Sequence, residues 1–369
     1  MSWTPPKVRP RGRIKASPED FVVDEIPLYD ASGAGDHLYI HLRKRLRTTE
    51  EVVRDVSRAL GVKPRDVGYA GLKDKVAVAT QWISVPASHA DPERDARARA
   101  LAIDGVEILE VTRHNNKLRT GHLRANRFDL VVRDLPPGAA AEVTATLEEI
   151  GRRGAPNAFG TQRFGRDGRN ADRARGWLSG SSQPPRDLRL KRLLFSAWQS
   201  AIFNAVLEAR LTDGTWDVPQ EGDVLKKEDS GGLFVCSDVQ VDRERAKAGE
   251  VCPTGPIPGP KMTSPSGAVL ELEERIAAPL MEGVDLSRAK GLGDGTRRPL
   301  RMRVEGLEVT PIGEHGDACR VRFVLPKGAY ATEVVGLAVD LSIENSASSS
   351  ESSGIQGDDP SDDERTEPR

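Results

Sequence analysis

Apolar and polar residues alternate along "DHLYIHLRKR", with Leu38, Ile40 and Leu42 on one face, so this stretch is expected to be a strand. The preceding "DFVVDEI" is β-rich, and the intervening "SGAGD" has turn chemistry. A helix is expected next. Thr48 and Glu51 stand in capping-box spacing before "EVVRDVSRAL", and Gly61 closes it. The strands "DVGYA" and "ATQWISV" then flank the loop "GLKDK". A short charged helix near residues 91–102, the strands "VEILEVTRH" and "FDLVVRDL", and the helix "AEVTATLEEIGRRG" complete the first part.

The character changes at Gly154. "APNAFGTQRFGRDGRN" is a loop dense in Gly, Asn, Arg and aromatic residues. Residues 170–179 and 188–211 read as helices, the second long and amphipathic. Residues 222–275 are punctuated by Gly and Pro, and "CPTGPIPGPKM" reads as a rigid irregular segment. Alternation returns in "RPLRMRVEGLEVTP" and "ACRVRFVLPKGAYATEVVGL", where Tyr330 is expected to follow a glycine turn into a strand. The pattern as a whole is α+β, strand-rich at both ends, with a mixed middle of about residues 155–300 that suits an inserted domain.

A chain of 369 residues has ample core for two domains. No apolar run approaches the ~20 residues that span a bilayer, and "MSWTPPKVRPRGRIK" lacks the apolar centre of a signal peptide. The three cysteines, Cys236, Cys252 and Cys319, form no CxxC and no zinc-ligand spacing, so they are expected to be inert thiols in a reducing cytoplasm. Net charge changes the picture more. From Ile343 onward eight acidic and two basic residues give −6, against −2 for the whole chain, which leaves residues 1–342 at +4. The tail has little to bury and is expected to be disordered. The mildly basic body permits a polyanionic partner.

Four stretches could carry chemistry. In "GYAGLKDKVAVATQW", Asp74 lies just beyond a strand end, on a loop that Gly71 allows to turn; catalytic groups favour that placement, although a solvated charged turn has the same pattern. In "RHNNKLRTGHLRANRF", Lys117, Arg119 and Arg124 suit phosphate contacts, and Asn126 and Phe128 suit recognition of a base, if this is more than a solvated hairpin. "PNAFGTQRFG" is too polar for a core strand and too aromatic for a disordered linker. "LPKGAYAT" offers Tyr330. No Walker A, GxGxxG or GxSxG motif is present.

Together with "PEDFVVDE", "FSAWQSAIFN" and "PTGPIPG", these stretches stand in the order found in the TruD family of tRNA pseudouridine synthases, which the chain resembles over about residues 10–340. The resemblance implies a pseudouridine synthase fold, a mixed and mostly antiparallel sheet with flanking helices, interrupted by an α/β TRUD domain. It sets the expected division: residues 1–153 and 303–342 as the catalytic domain, 154–302 as the insertion and 343–369 as the tail. It implies isomerisation of uridine in tRNA, at position 13 in bacterial members, without metal or cofactor. Asp74 falls on the family's catalytic aspartate. Phe21, Asn126 and Tyr330 fall on substrate-contacting positions, and Phe128 is a stacking candidate. Ala125 and Tyr330 depart from the family's usual Gly and Phe.

From charge, Lys117 is the expected cation beside Asp74. Arg119, Arg124, Arg163, Arg166 and Arg169 are expected on tRNA phosphates. The expected enzyme is a cytoplasmic monomer that needs no protein partner. The alternative is a non-catalytic RNA-binding protein on the same scaffold.

Overall fold

Strand and helix propensities along the chain resolve into sixteen strands and eight α-helices among the residues that the computed structural model describes, 3–87, 92–313 and 316–343. In chain order the first part contains β1 (Arg11–Ile14), β2 (Phe21–Pro27), β3 (His37–Arg45), α1 (Thr49–Leu60), β4 (Gly68–Tyr69), β5 (Val78–Pro86), α2 (Pro92–Arg99), β6 (Val106–His114), β7 (Leu123–Val132) and α3 (Ala139–Arg153). The middle holds β8 (Ala155–Pro156), α4 (Asn170–Leu178), α5 (Leu188–Thr212), β9 (Val224–Lys227), β10 (Leu233–Val235), α6 (Val239–Lys247), β11 (Val251–Ile257), α7 (Gly267–Met281), β12 (Thr296–Pro299) and β13 (Arg301–Met302). The chain ends in β14 (Glu305–Ile312), β15 (Ala318–Pro326), α8 (Ala331–Val335) and β16 (Asp340–Ile343).

The main sheet has the order β14-β15-β7-β2-β5-β3-β6, with β4 added to β5. Its pairs are antiparallel except β2 with β5, which is parallel. Side chains alternate between faces along a strand, so two apolar clusters form on one face. Phe21, Val23, Ala79, Phe128, Leu130, Val321 and Phe323 pack with Val143, Leu147 and Ile150 of α3. Leu38, Ile40, Leu42, Ile83 and Val85 pack with Val52, Val53, Val56 and Leu60 of α1. Fully burying each such side chain contributes about 1.5–3 kcal/mol. The capping box of α1 forms as expected: Glu51 N–H donates to the Thr48 hydroxyl, and Thr48 N–H donates to the Glu51 carboxylate at 2.7 Å. Gly61 ends the helix with φ 67°, a left-handed conformation that glycine adopts without strain.

The chain leaves the main sheet after α3 and re-enters at β14, through the antiparallel pair β8–β13. Between them lies a sheet of order β10-β9-β11-β12 with α5 packed against it. Two expectations fail in this middle region and beyond it. "CPTGPIPG" is not irregular: Val251–Ile257 is a buried strand. Its first half pairs in register with β9 and its second with β12, and on the side away from β9 the Pro253 carbonyl accepts from Leu300 N–H; a strand paired on one side at a time tolerates prolines that lack a donor. Tyr330 does not enter a strand. It precedes α8, whose Ala331, Val334 and Val335 turn into the core. Cys236, Cys252 and Cys319 are buried free thiols, and burial pushes their pKa values up to about 12, 11 and 11. Strand β16 runs through Ile343, and the acidic tail beyond it lies outside the described residues.

Candidate active site

Between the two apolar clusters the same face of the sheet turns polar. Strand register puts Glu25 opposite Asn126, and Asp24 opposite Thr80, so Gln81, Glu25 and Asn126 form a row across β5, β2 and β7. Each has a buried apolar residue two places along its own strand: Ile83, Val23 and Phe128. The loop from Gly71 to Ala77 closes over this row. Lys73 is 9% exposed; its ammonium lies 2.7 Å from the Glu25 carboxylate and donates to Asn126 Oδ1 at 2.9 Å. The other Glu25 oxygen accepts from Trp82 N–H at 3.1 Å. The Lys73 N–H donates to Thr49 Oγ1, which in turn donates to Gln81. Thus α1, β2, β5 and β7 all fix the lysine that precedes Asp74.

Asp74 itself faces outward, with its side chain 57% exposed. Its backbone carbonyl accepts from the Lys44 ammonium at 2.6 Å. Lys44 is wholly buried and also donates to the Arg47 carbonyl. Desolvation pushes its pKa down to about 8, against the partial support of the Asp74 charge. The Asp74 carboxylate has a different cation: Lys15 Nζ lies 3.3 Å from Oδ2 and 4.1 Å from the centre of the Phe21 ring. Lys75 turns aside to Glu51 at 3.5 Å.

The structure therefore gathers Asp74, Phe21, Asn126 and Phe128 around Lys15 and Lys73. It corrects one expected contact: Lys117 is not the cation at Asp74. Its ammonium donates to the Arg65 carbonyl at 2.8 Å, because the loop that carries it packs along the chain just before β4. Phe128 is also not an open platform. Its ring is 6% exposed, edge-on to Phe21 and packed on Phe323, because its strand position faces the apolar cluster with α3. Phe21 is buried at 2%, with Lys15 over it. Lys15 and Lys44 escaped sequence reasoning. Lys44 carried a signal, since it continues the inward series Leu38, Ile40, Leu42.

Tyr330 belongs to a second part of the site. Its ring is 54% exposed and lines a cavity of about 710 Å3 together with Arg9, Phe159, Arg163, Arg298 and Glu333. The "PNAFGTQRFG" loop is ordered here by polar clamps. Asn204 of α5 accepts from Phe159 N–H and donates to its carbonyl, both at 2.9 Å, and Asn157 donates to the Pro299 carbonyl. Arg298 lies over the Phe159 ring at 4.0 Å and donates to the Asn157 carbonyl. Burial, and the neighbouring Arg163, push its pKa down to about 10. Glu333 is desolvated as well, and its pKa is raised. Arg119, Arg124 and Arg166 are exposed and carry no ion pair among the described residues, while Arg169 stands near Asp167.

Among the described residues no group of three or more His, Cys, Asp or Glu is placed to hold a metal ion, and no helix is long and apolar enough to cross a membrane. The family model described as tRNA pseudouridine synthase D (TruD) matches residues 8–173 and 185–336. The chain belongs to this family. It is 48% identical to the tRNA pseudouridine synthase D of Anaeromyxobacter sp. (strain Fw109-5), over 88% of this chain and 91% of that one. Identity to the Thermus thermophilus protein of the same name is 37%, covering 88% and 87%. A crystal structure described as the putative tRNA pseudouridine synthase D from Methanosarcina mazei superposes with a TM-score of 0.74, at 22% identity, over 92% of this chain and 96% of that one. At that identity the likeness speaks to the fold, and it is the mixed α+β fold expected from the sequence.

Proposed function

We propose that the chain isomerises uridine to pseudouridine in tRNA, at position 13, with Asp74 as the catalytic residue. Membership of the pseudouridine synthase D family supports the reaction. The observation that carries the site is the exposed Asp74 carboxylate on a loop whose backbone is tied down by buried Lys44 and Lys73. Such anchoring holds a reacting group in place without help from the substrate.

The N1–C1′ bond must break, a C5–C1′ bond must form, and the C5 proton must leave while N1 gains one. Asp74 acts either as nucleophile or as base in that sequence. The target must first leave the stack, which costs a few kcal/mol. Lys15 covers the Phe21 ring in the free chain, so the base reaches Phe21 by displacing that ammonium, with Phe128 and Phe323 supporting the ring from behind. Asn126, held by Lys73, bonds a polar edge of uracil in this reading, and Tyr330 offers the exposed aromatic face. In this reading residues 1–153 and 303–342 are the catalytic domain and 154–302 the insertion. Lys117, Arg119, Arg124, Arg163, Arg166 and Arg169 receive the tRNA backbone. The enzyme works as a cytoplasmic monomer with no cofactor.

Release of tritium from C5-labelled uridine in a tRNA transcript tests the proposal. Release by the wild type and none by Asp74→Asn is the expected result. Equal release by both would remove Asp74 from the chemistry, and release by neither, with transcript still bound, would leave an RNA-binding protein.

A further inference from the structure

We infer that the cavity between the Phe159 loop and α8 is a subsite for one backbone phosphate of the RNA, held by Arg298 and Arg163 beside the Tyr330 ring. The inference deepens the reading of the chain as a tRNA-modifying enzyme and rests on it. Two guanidinium groups share one aromatic ring: Arg298 stands 4.0 Å and Arg163 5.2 Å from the centre of Phe159. Arg298 also lies 5.5 Å from Phe203. Neither arginine has a carboxylate partner among the described residues. Among the described residues the Arg298 guanidinium donates to Asn157 alone, and that of Arg163 to the Ser196 hydroxyl alone, at 3.3 Å.

Two like charges gathered in a partly desolvated place repel each other, and among the described residues no carboxylate is paired with either of them. Two carboxylates also line the cavity, and neither pairs with Arg298 or Arg163: Glu333 lies against Gly160, where an added Cβ would stand 2.3 Å from Oε1, and Asp340 stands 3.9 Å from Arg11. The arrangement is also built to stay open. Asn157 holds Arg298 and Asn204 holds the Phe159 backbone, so the cations need no ligand to be in place. Planar guanidinium forks match phosphate oxygens. The exposed Tyr330 ring on the same cavity gives the adjoining nucleotide a surface for stacking. Phosphate and aromatic face together describe a nucleotide of a polymer, which favours RNA over a free anion.

The test measures binding of a tRNA transcript in an Asp74→Asn background, so the readout is independent of turnover. Removing one phosphate-binding group should reduce the slope of log affinity against log salt by about 0.7–0.9. Because both hold the same phosphate, Arg298→Gln and Arg163→Gln are each expected to lose part of that, and the double variant, which leaves the phosphate no cation, the whole of it and no more. Arg298→Lys, which keeps the charge but not the fork, should keep the slope and bind more weakly. Since Arg298 helps to pack the loop, Arg163→Gln keeps the test decisive if Arg298→Gln fails to fold. Parental slopes in the folded variants would overturn the subsite. Competition by inorganic phosphate that vanishes in Arg163→Gln without a change of slope would overturn it in favour of a free-anion site. A transcript that does not bind the parent protein would overturn both this inference and the proposed function. Reduced slopes in an enzyme that releases no tritium would overturn only the proposed chemistry.

Discussion

The ammonium of Lys44 is sealed from solvent and donates to the backbone carbonyl of Asp74 at 2.6 Å. A lysine at an inward strand position thus fixes the main chain of the residue proposed to react, while leaving its carboxylate to Lys15 and solvent. Lys44→Met would orphan the Asp74 and Arg47 carbonyls. An unsatisfied buried acceptor costs about 1–3 kcal/mol, and removing a desolvated charge offsets part of that. A net loss near ~1 kcal/mol in urea unfolding is expected, with a larger fall in tritium release.

Lys44 should also make stability depend on pH. Its pKa of about 8 in the folded chain is below the ordinary lysine value of 10.5, so the folded state gives up the proton first. Below pH 8 the ammonium is charged in both states and its desolvation cost is fully present. Between 8 and 10.5 the unfolded chain binds more protons, and this residue's contribution rises with pH. The neutral amine keeps two N–H donors for its two carbonyls. Wild type should therefore gain stability relative to Lys44→Met as pH rises through that window. A relative loss there would mean that the loop needs the ammonium.

Lys15 is a positioning residue for Asp74. The ion pair is more than half open to solvent on the aspartate side, and such pairs contribute about 0–1 kcal/mol to stability. Lys15→Met should therefore leave urea unfolding nearly unchanged while lowering kcat about tenfold, the equivalent of about 1.4 kcal/mol. Lys15→Arg should restore part of the rate. Equal losses of stability and rate in Lys15→Met would make its role structural.

The pattern of the sheet was legible because it obeys a period of two, and the polar site was partly legible for the same reason. Glu25 continues Phe21 and Val23, Gln81 lies between Ala79 and Ile83, and Asn126 precedes Phe128 and Leu130. Each is a polar residue at a core-facing position, which is costly unless it is paired. That signal marks the site's centre without any motif. The same parity predicts that Phe128 is buried, against its expected role as a stacking wall. What the pattern could not show is the cation at Asp74. Lys15 comes from a connection before the first strand of the main sheet, with no periodicity to place it, whereas Lys117 looked attractive only because its neighbours are basic. Proline and glycine likewise concealed β11, since one-sided pairing is a property of the sheet and not of the segment.

Glu25 and Lys73 form a buried pair whose side chains are 1% and 5% exposed. Removing one partner strands the other, at about 3–5 kcal/mol. Glu25→Gln should thus destabilise strongly and lower activity by releasing Asn126 from Lys73. Glu25→Gln combined with Lys73→Met removes both charges and should recover much of the stability in urea unfolding but not the activity. If the double variant is as unstable as the single one, the polar row is needed for folding irrespective of charge.

Tyr330 offers the most exposed aromatic ring of the site, and among the described residues it stays 54% exposed beside the cavity that it lines with Arg163 and Arg298. A base stacked there is worth about 1–3 kcal/mol. Tyr330→Ala should weaken transcript binding by that amount, roughly five- to 150-fold. Tyr330→Phe keeps the ring and removes only a hydroxyl that has no hydrogen bond among the described residues, so it should bind within about twofold of the parent. Because Tyr330 stands before α8 and not within the core, both variants should unfold at the parental urea midpoint. A large defect in Tyr330→Phe would mean that the hydroxyl bonds the RNA, and that the departure from phenylalanine at this position is a change in recognition.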